Sequence, residues 1–225
     1  MCIRDSGKPL QYITNNQEFM GLNFFVNENV LIPQPDTEII VEETLKKCKE
    51  LLLKNGKIKI LDLCTGSGAI AVSLSIFLGD EAEVFASDIS TKALEVAKYN
   101  NGKNNTNVRF IESNLFKNIQ EQKFNIIVSN PPYIRSDVIN KLSKQVQNEP
   151  HLALDGGEDG LKFYKKIIEQ SCNYIENGYL ILEIGYDQKE DVENLLKENK
   201  NYSEIKTIQD LSGNDRCVIA KVGKI

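Results

Sequence analysis

The chain has 225 residues, 41% hydrophobic and 26% charged, enough for one sizeable core or for one domain with a small appendage. No stretch approaches the roughly 20 apolar residues that span a bilayer, and residues 1–6 lack the apolar run of a signal peptide, so a cytoplasmic protein is expected. A net charge of −5 argues against a basic nucleic-acid footprint; the single histidine, His151, leaves no histidine triad or multi-histidine metal site; and five scattered cysteines (Cys2, Cys48, Cys64, Cys172, Cys217) without a C-x-x-C pair argue against disulfides and zinc.

Residues 17–30, with Phe19, Leu22, Phe24, Phe25 and Val26 around Gly21 and Asn27, read as a β-hairpin. Leu31-Ile32-Pro33-Gln34-Pro35-Asp36-Thr37-Glu38 follows, its Pro35 suited to the start of a helix near Asp36. From Lys57 onward short apolar strands alternate with helical stretches, the signature of βαβ units and a parallel sheet. Strands are predicted at 58–63, 83–88, 108–111, 124–128 and 179–184. Helices are predicted at 69–78, from the cap Ser90 to about Asn100, at 161–174 and at 188–198. The polar run 100–107 reads as a loop, and the end as two strands, 204–208 and 216–222, joined by a turn at 211–215. The fold class is α/β, a Rossmann-like, doubly wound sheet of seven strands ending in an antiparallel hairpin. Residues 1–30 read as an N-terminal segment carrying a short β-hairpin, and 31–225 as the main domain.

The first strand of that domain ends in Asp62-Leu63-Cys64-Thr65-Gly66-Ser67-Gly68, where glycines let the backbone approach a ligand and the next helix pack close. The same loop fits the dinucleotide pattern G-x-G-x-x-A, and Asp88 follows Gly68 by 20 residues, as a ribose-binding acid does. NAD therefore stands beside S-adenosyl-L-methionine as a cofactor for this loop alone. Two features favour the second. Asp62 repels a pyrophosphate but suits the ammonium of a methionine moiety. The fourth strand stops in Asn130-Pro131-Pro132-Tyr133, in the crevice where doubly wound sheets bind ligands. Neither proline has an N–H and both have a fixed φ, so this turn is stiff, rich in acceptors and suited to holding a planar NH2 group. The plainer reading, a strand-terminating loop, applies to Pro-Pro-Tyr taken alone.

Together these segments resemble a known family, the release factor glutamine methyltransferases (HemK/PrmC family). The resemblance runs from about Gly7 to the C-terminus. Besides the two loops it is carried by Leu31-Ile32-Pro33, Asp88-Ile89-Ser90, the block 152–161 (Leu-Ala-Leu-Asp-Gly-Gly-Glu-Asp-Gly-Leu) and Leu182-Glu183-Ile184-Gly185. It implies methylation of the side-chain amide of the glutamine in the Gly-Gly-Gln motif of peptide chain release factors, in translation termination. It also implies a cofactor loop at Asp62, Cys64, Thr65, Gly66, Ser67 and Gly68, a ribose acid at Asp88 with Ile89, and an adenine-side contact at Asn114 and Leu115. Asn130 would touch both cofactor and substrate, with Pro131, Pro132 and Tyr133 on the substrate side. A monomer is expected, with release factors as partners and neither membrane nor nucleic acid.

The chain departs from the family at Cys64, where glycine is usual, at Gln34, where arginine is common, and at Asn148 and His151, which stand for an aromatic residue and an arginine. These departures bear on the release-factor docking surface. The family's N-terminal helical bundle has no counterpart here, which reads as truncation or as a short variant; residues 1–6 match nothing expected and favour truncation, with 1–30 as the remnant of a linker to the missing domain.

A glutamine amide is a poor nucleophile because its nitrogen lone pair is delocalised. If Asn130 Oδ1 and the Pro131 carbonyl each accept one N–H, the nitrogen is fixed and positive charge developing on it is stabilised. Tyr133 is expected to pack on the flat amide. No dedicated base is required, and Asp62 and Glu183 read as structural. The rivals are an adenine-N6 methyltransferase acting on nucleic acid, since adenine also presents a planar NH2, then a non-catalytic cofactor-binding module, then an NAD oxidoreductase.

Overall fold

The computed structural model describes residues 7–120 and 122–223. Residues 1–6, with Cys2 and the truncation read from them, lie outside the described residues. Helix α1 (Leu10–Thr14) leads to the expected hairpin, β1 (Gln17–Phe19) and β2 (Leu22–Phe24), which turns at Met20-Gly21 with positive φ at both residues. It buries Phe19 against Phe24 edge to face. A 3-10 turn, Pro35–Thr37, then starts α2 (Glu38–Asn55), as the fixed φ of proline favours.

The core of the fold follows: β3 (Ile58–Leu63), α3 (Ala69–Leu78), β4 (Ala82–Asp88), α4 (Thr91–Lys103), β5 (Arg109–Glu112) and β6 (Phe124–Ser129). Next come β7 (Ile134–Arg135), the short helices α5 (Ser136–Ile139), α6 (Lys144–Gln147) and α7 (His151–Leu154), and β8 (Asp155–Gly157). The chain closes with α8 (Lys162–Ser171), β9 (Ile175–Glu183), α9 (Lys189–Glu198), β10 (Tyr202–Gln209) and β11 (Asp215–Val222). Seven strands form one sheet in the order β10-β11-β9-β6-β3-β4-β5. The five from β9 to β5 are parallel, and β11 runs antiparallel between β9 and β10.

Alternate residues of each strand feed two cores. Ile60, Val84 and Ile126 pack beneath α2 and α3, while Leu61, Ile127 and Leu180 pack against α8 and α9. Burial on both faces explains the near-continuous apolar runs of β3 and β6. Helix α8 presents Tyr164, Ile167, Ile168 and Ser171 inward at helical spacing, and its lysines outward. Among the described residues no helix is long and apolar enough to cross a membrane.

The structure differs from the sequence expectation in four places. Residues 100–103, read as loop, form the last turn of α4. Their polarity is deceptive because Asn100 is fully buried and fully used: its Oδ1 accepts the Phe25 N–H (2.7 Å), and its Nδ2 donates to the carbonyls of Phe25 and Ser67 (both 2.9 Å). Strand β9 begins four residues earlier than expected, at Ile175. It does so because Gly178 lies directly on Asn125, whose carbonyl oxygen would stand 1.8 Å from any Cβ added there. The acidic stretch after Leu154, for which no strand was predicted, begins with β8, which pairs with β7. Finally, α1 and α5 to α7 are too short to announce themselves by periodicity.

Asn100→Ala should lower stability by about 3 kcal/mol, because the backbone groups of Phe25 and Ser67 lose their partners in the interior. Denaturant unfolding monitored by circular dichroism measures this.

Candidate functional site

Four loops leave the carboxyl ends of β3, β4, β5 and β6 and line one cavity of about 400 Å3, of the size that takes a small molecule. The sheet topology puts it there, since the chain passes from β3 outward to β5 and then returns to β6 on the other side of β3. The β3 loop turns through Cys64, Gly66 and Gly68, all at positive φ (61°, 53° and 81°). It is tied down on each side: the Thr65 N–H donates to the Ser87 carbonyl (3.0 Å) and the Thr65 hydroxyl to Asp62 Oδ2 (2.5 Å). Gly68 packs on Ala97 of α4, where a Cβ would meet its methyl at 3.0 Å.

At the end of β4, Asp88 accepts the N–H groups of Gly66 and Ser90, both at 2.9 Å, so one carboxylate joins the glycine loop to the cap of α4. Burial pushes this carboxyl up, against the backbone N–H groups of Ser90, Gly66 and Ile89, which favour its charge. After β5, the Ser113 hydroxyl donates to the Leu115 carbonyl (2.6 Å) and Leu115 takes φ 50°, which turns Asn114 and Leu115 to the cavity wall. Besides the four loops, the segment after the hairpin makes a fifth wall: Glu28, Val30, Leu31 and Pro33 lie against the cavity. That strap is held by the Tyr12 hydroxyl on the Val30 carbonyl (2.6 Å) and by Glu149 Oε2, which accepts the Ile32 N–H (2.9 Å).

At the end of β6, the Ser129 hydroxyl donates to the Leu63 carbonyl (2.7 Å) and closes the crevice floor. Asn130 follows on the cavity wall with its amide oriented: Nδ2 donates to the Thr37 hydroxyl (3.3 Å), and among the described residues Oδ1 has no hydrogen-bond partner. Tyr133 turns away, its hydroxyl donating to Glu183 Oε1 (3.2 Å) and its carbonyl accepting from Gln188 Nε2 (3.0 Å). Gly156 of β8 touches the Tyr133 backbone, where a Cβ would come within 2.7 Å, so the 152–161 block buttresses the turn.

The methyltransferase small domain family model matches residues 39–158. A release factor glutamine methyltransferase from Clostridium acetobutylicum is 45% identical over 98% of this chain and 78% of its own length. One from Bacillus subtilis is 39% identical over 97% and 77%, and one from Fusobacterium nucleatum 44% over 95% and 60%. The chain belongs to the release factor glutamine methyltransferase family. Solved structures bear out the methyltransferase fold of this family member. A Pyrococcus furiosus methyltransferase superposes with a TM-score of 0.67 at 21% identity over 95% of this chain and 94% of its own. A Thermus thermophilus rRNA guanine-N2 methyltransferase solved with AdoMet and guanosine gives 0.62 at 16% identity over 92% and 49%.

As in the methyltransferases it resembles, the cofactor of this family member is S-adenosyl-L-methionine. The cavity fits that group: Gly66 opens its wall with no Cβ and clear space in front, Asp88 offers an acceptor for ribose, and Leu115 and Ile89 add apolar surface. Of the residues expected at the site, Cys64, Thr65, Gly66, Ser67, Asp88, Ile89, Asn114, Leu115, Asn130 and Pro132 line the cavity. Gly68, Asp62, Pro131 and Tyr133 do not. Asp62 is sealed under the loop, its Oδ1 without a hydrogen-bond partner among the described residues, and burial pushes its carboxyl up to about 7 against the Thr65 hydroxyl. It therefore braces the loop from below.

The departures from the family are also explained. Cys64 occupies a left-handed conformation that glycine takes without strain, so the family's usual glycine is a backbone requirement. Gln34 lines the cavity and folds its Nε2 onto the Ile32 carbonyl (2.9 Å). Asn148 bridges the carbonyls of Gly7 (3.0 Å) and Lys144 (2.8 Å), and His151 is exposed, 3.9 Å from Asp155. Sequence reasoning missed the strap, Thr37 and Lys162 of α8; only the strap left a signal, its two prolines.

Proposed function

We propose that this protein transfers the methyl group of S-adenosyl-L-methionine to the side-chain nitrogen of the glutamine in the Gly-Gly-Gln motif of peptide chain release factors. The orientation of Asn130 carries the reading: an amide tethered at its nitrogen by Thr37 presents an oxygen to the cavity that accepts an N–H. Membership of the family selects glutamine over adenine among planar NH2 groups.

The cofactor supplies an electrophilic methyl when bound between the β3 loop, Asp88 and Leu115. Asn130 Oδ1, on the cavity wall, takes one N–H of the substrate amide and aims its nitrogen at that methyl, whereas Pro131, off that wall, stiffens the turn that holds Asn130. Asn130 is a neutral acceptor whose hydrogen bond to the substrate N–H supports the positive charge that arises on the nitrogen. Such positioning supplies roughly 7–11 kcal/mol of barrier reduction. Tyr133 acts on the turn from behind, its hydroxyl anchored on Glu183. Solvent takes the proton after transfer. We read the strap after the hairpin, from Glu28 to Pro33, as a wall of the cofactor site and release factors as the partner.

Incubation with methyl-labelled cofactor and a release factor should label the wild-type factor and leave its Gly-Gly-Gln Gln→Ala variant blank. Equal labelling of the two, or transfer to nucleic acid instead, overturns the assignment.

A further inference from the structure

We propose that Gln188 is a positioning residue for methyl transfer: its side-chain amide fixes the far end of the Asn130-Pro131-Pro132-Tyr133 turn and, through the two prolines, holds Asn130 in place on the cavity wall. The proposal rests on the reading of Asn130 as the acceptor of the substrate amide.

That turn has few means of being held. Pro131 and Pro132 have no N–H to donate, so the backbone is fixed mainly from its two ends. At its start, the Ser129 hydroxyl is bound to the Leu63 carbonyl (2.7 Å). At its end, the Tyr133 hydroxyl reaches Glu183 (3.2 Å) and the Tyr133 carbonyl accepts from Gln188 Nε2 (3.0 Å). The hydroxyl sits at the tip of a rotatable side chain, whereas the carbonyl belongs to the backbone of the turn. The bond from Gln188 is therefore the one that fixes where that backbone lies. With φ locked at both prolines, few rotations remain between this carbonyl and Asn130.

Gln188 stands at the start of α9, is buried, and has every hydrogen-bonding position of its amide in use. Nε2 donates to the carbonyls of Tyr133 (3.0 Å) and Gly160 (3.4 Å), while Oε1 accepts from the Gly185 N–H (2.9 Å) and the Tyr164 hydroxyl (3.4 Å). Four segments thus meet on one side chain: the turn, the 152–161 block, the end of β9 and α8. A carbonyl only accepts and a backbone N–H only donates, so three of the four partners allow the amide a single orientation. The backbone around it is shaped to this residue. A Cβ on Gly185 would lie 2.8 Å from Oε1, and one on Gly160 would lie 2.7 Å from Nε2 and 2.5 Å from the Tyr133 carbonyl oxygen. At the other end of the 152–161 block, Leu152 and Ala153 line the cavity, so the same amide joins the turn to a second part of the wall. The four partners of Gln188 include no group of the β3 loop, Asp88 or Leu115. Its loss should therefore bear on the transfer step and leave the cofactor in place.

The test is a double-mutant cycle between Gln188 and Asn130, read as kcat for release-factor methylation, with cofactor affinity measured by calorimetry on the same samples. Gln188→Met keeps length and bulk but no hydrogen bond of the amide; Gln188→Glu keeps the acceptor for Gly185 and Tyr164 and loses the donors to Tyr133 and Gly160. Each should lose roughly tenfold in kcat, the weight of one or two hydrogen bonds, with the cofactor Kd within about twofold of wild type. In Asn130→Ala, where no amide remains to be positioned, adding Gln188→Met should cost less than about twofold more. Gln188→Glu carries the same cycle if Gln188→Met does not fold. Unchanged kcat in the single variants, the full tenfold loss repeated in the double variant, or cofactor affinity falling in step with kcat overturns the proposal and leaves Gln188 a part of the scaffold alone. A wild type that methylates no release factor removes the reading of Asn130, and the proposal with it.

Discussion

Asn130→Ala should lose roughly 10²–10³-fold in kcat while still binding S-adenosyl-L-methionine, the size of effect seen when one preorganised hydrogen-bonding group is removed from a transition state. Asn130 lies on the wall, but its neighbours in the fold are Thr37 and the strand end, so deletion of its amide leaves the β3 loop and Asp88 in place. Asn130→Asp separates shape from charge. It keeps the acceptor and the size, yet puts a negative charge beside the methyl group and loses the donor to Thr37, so its activity should also be low. Single-turnover methylation and calorimetry on the same samples decide this; unchanged kcat in Asn130→Ala would remove the turn from the chemistry.

Asp88→Ala should weaken cofactor binding roughly a hundredfold, since two charge-assisted hydrogen bonds and the ribose acceptor go together. The carboxylate does two things at once in this fold. It presents acceptor capacity to the cavity, and it pins Gly66 and Ser90, which lie on two different loops. The defect should therefore include a lowered Tm of the apoprotein as well as a raised Kd. Asp88→Asn keeps an acceptor for one of the two N–H groups and should fall between. A normal apoprotein Tm with weakened binding would mean that the carboxylate acts on the ligand alone.

The parts of the site legible in the sequence are those in which a single stretch of chain carries both the geometry and the chemistry. An apolar strand followed by glycines, or by Asn-Pro-Pro-Tyr, tells where backbone turns and which groups it offers, because strand alternation, proline φ and glycine freedom are local properties. Asp88 was readable for the same reason, as the last residue of a strand before a capped helix. At 100–103 the loop expectation gives way to helix because a buried asparagine and a solvated one look alike until the partners of Asn100 are known, and those lie 75 and 33 residues away; 104–107 are loop as expected.

The sequence by itself determined the class of the fold, the strand ends that carry the ligand loops, and an amide-shaped turn opposite a cofactor pocket. Only the tertiary structure decided which way that amide faces. Its orientation depends on Thr37, 93 residues distant in sequence. The tertiary structure likewise moved Asp62 and Tyr133 off the cavity wall and brought the strap, Thr37 and Lys162 to it. Direction of a hydrogen bond and degree of burial are properties of the surrounding groups, and the packing of the sheet, not the local pattern, chooses those groups.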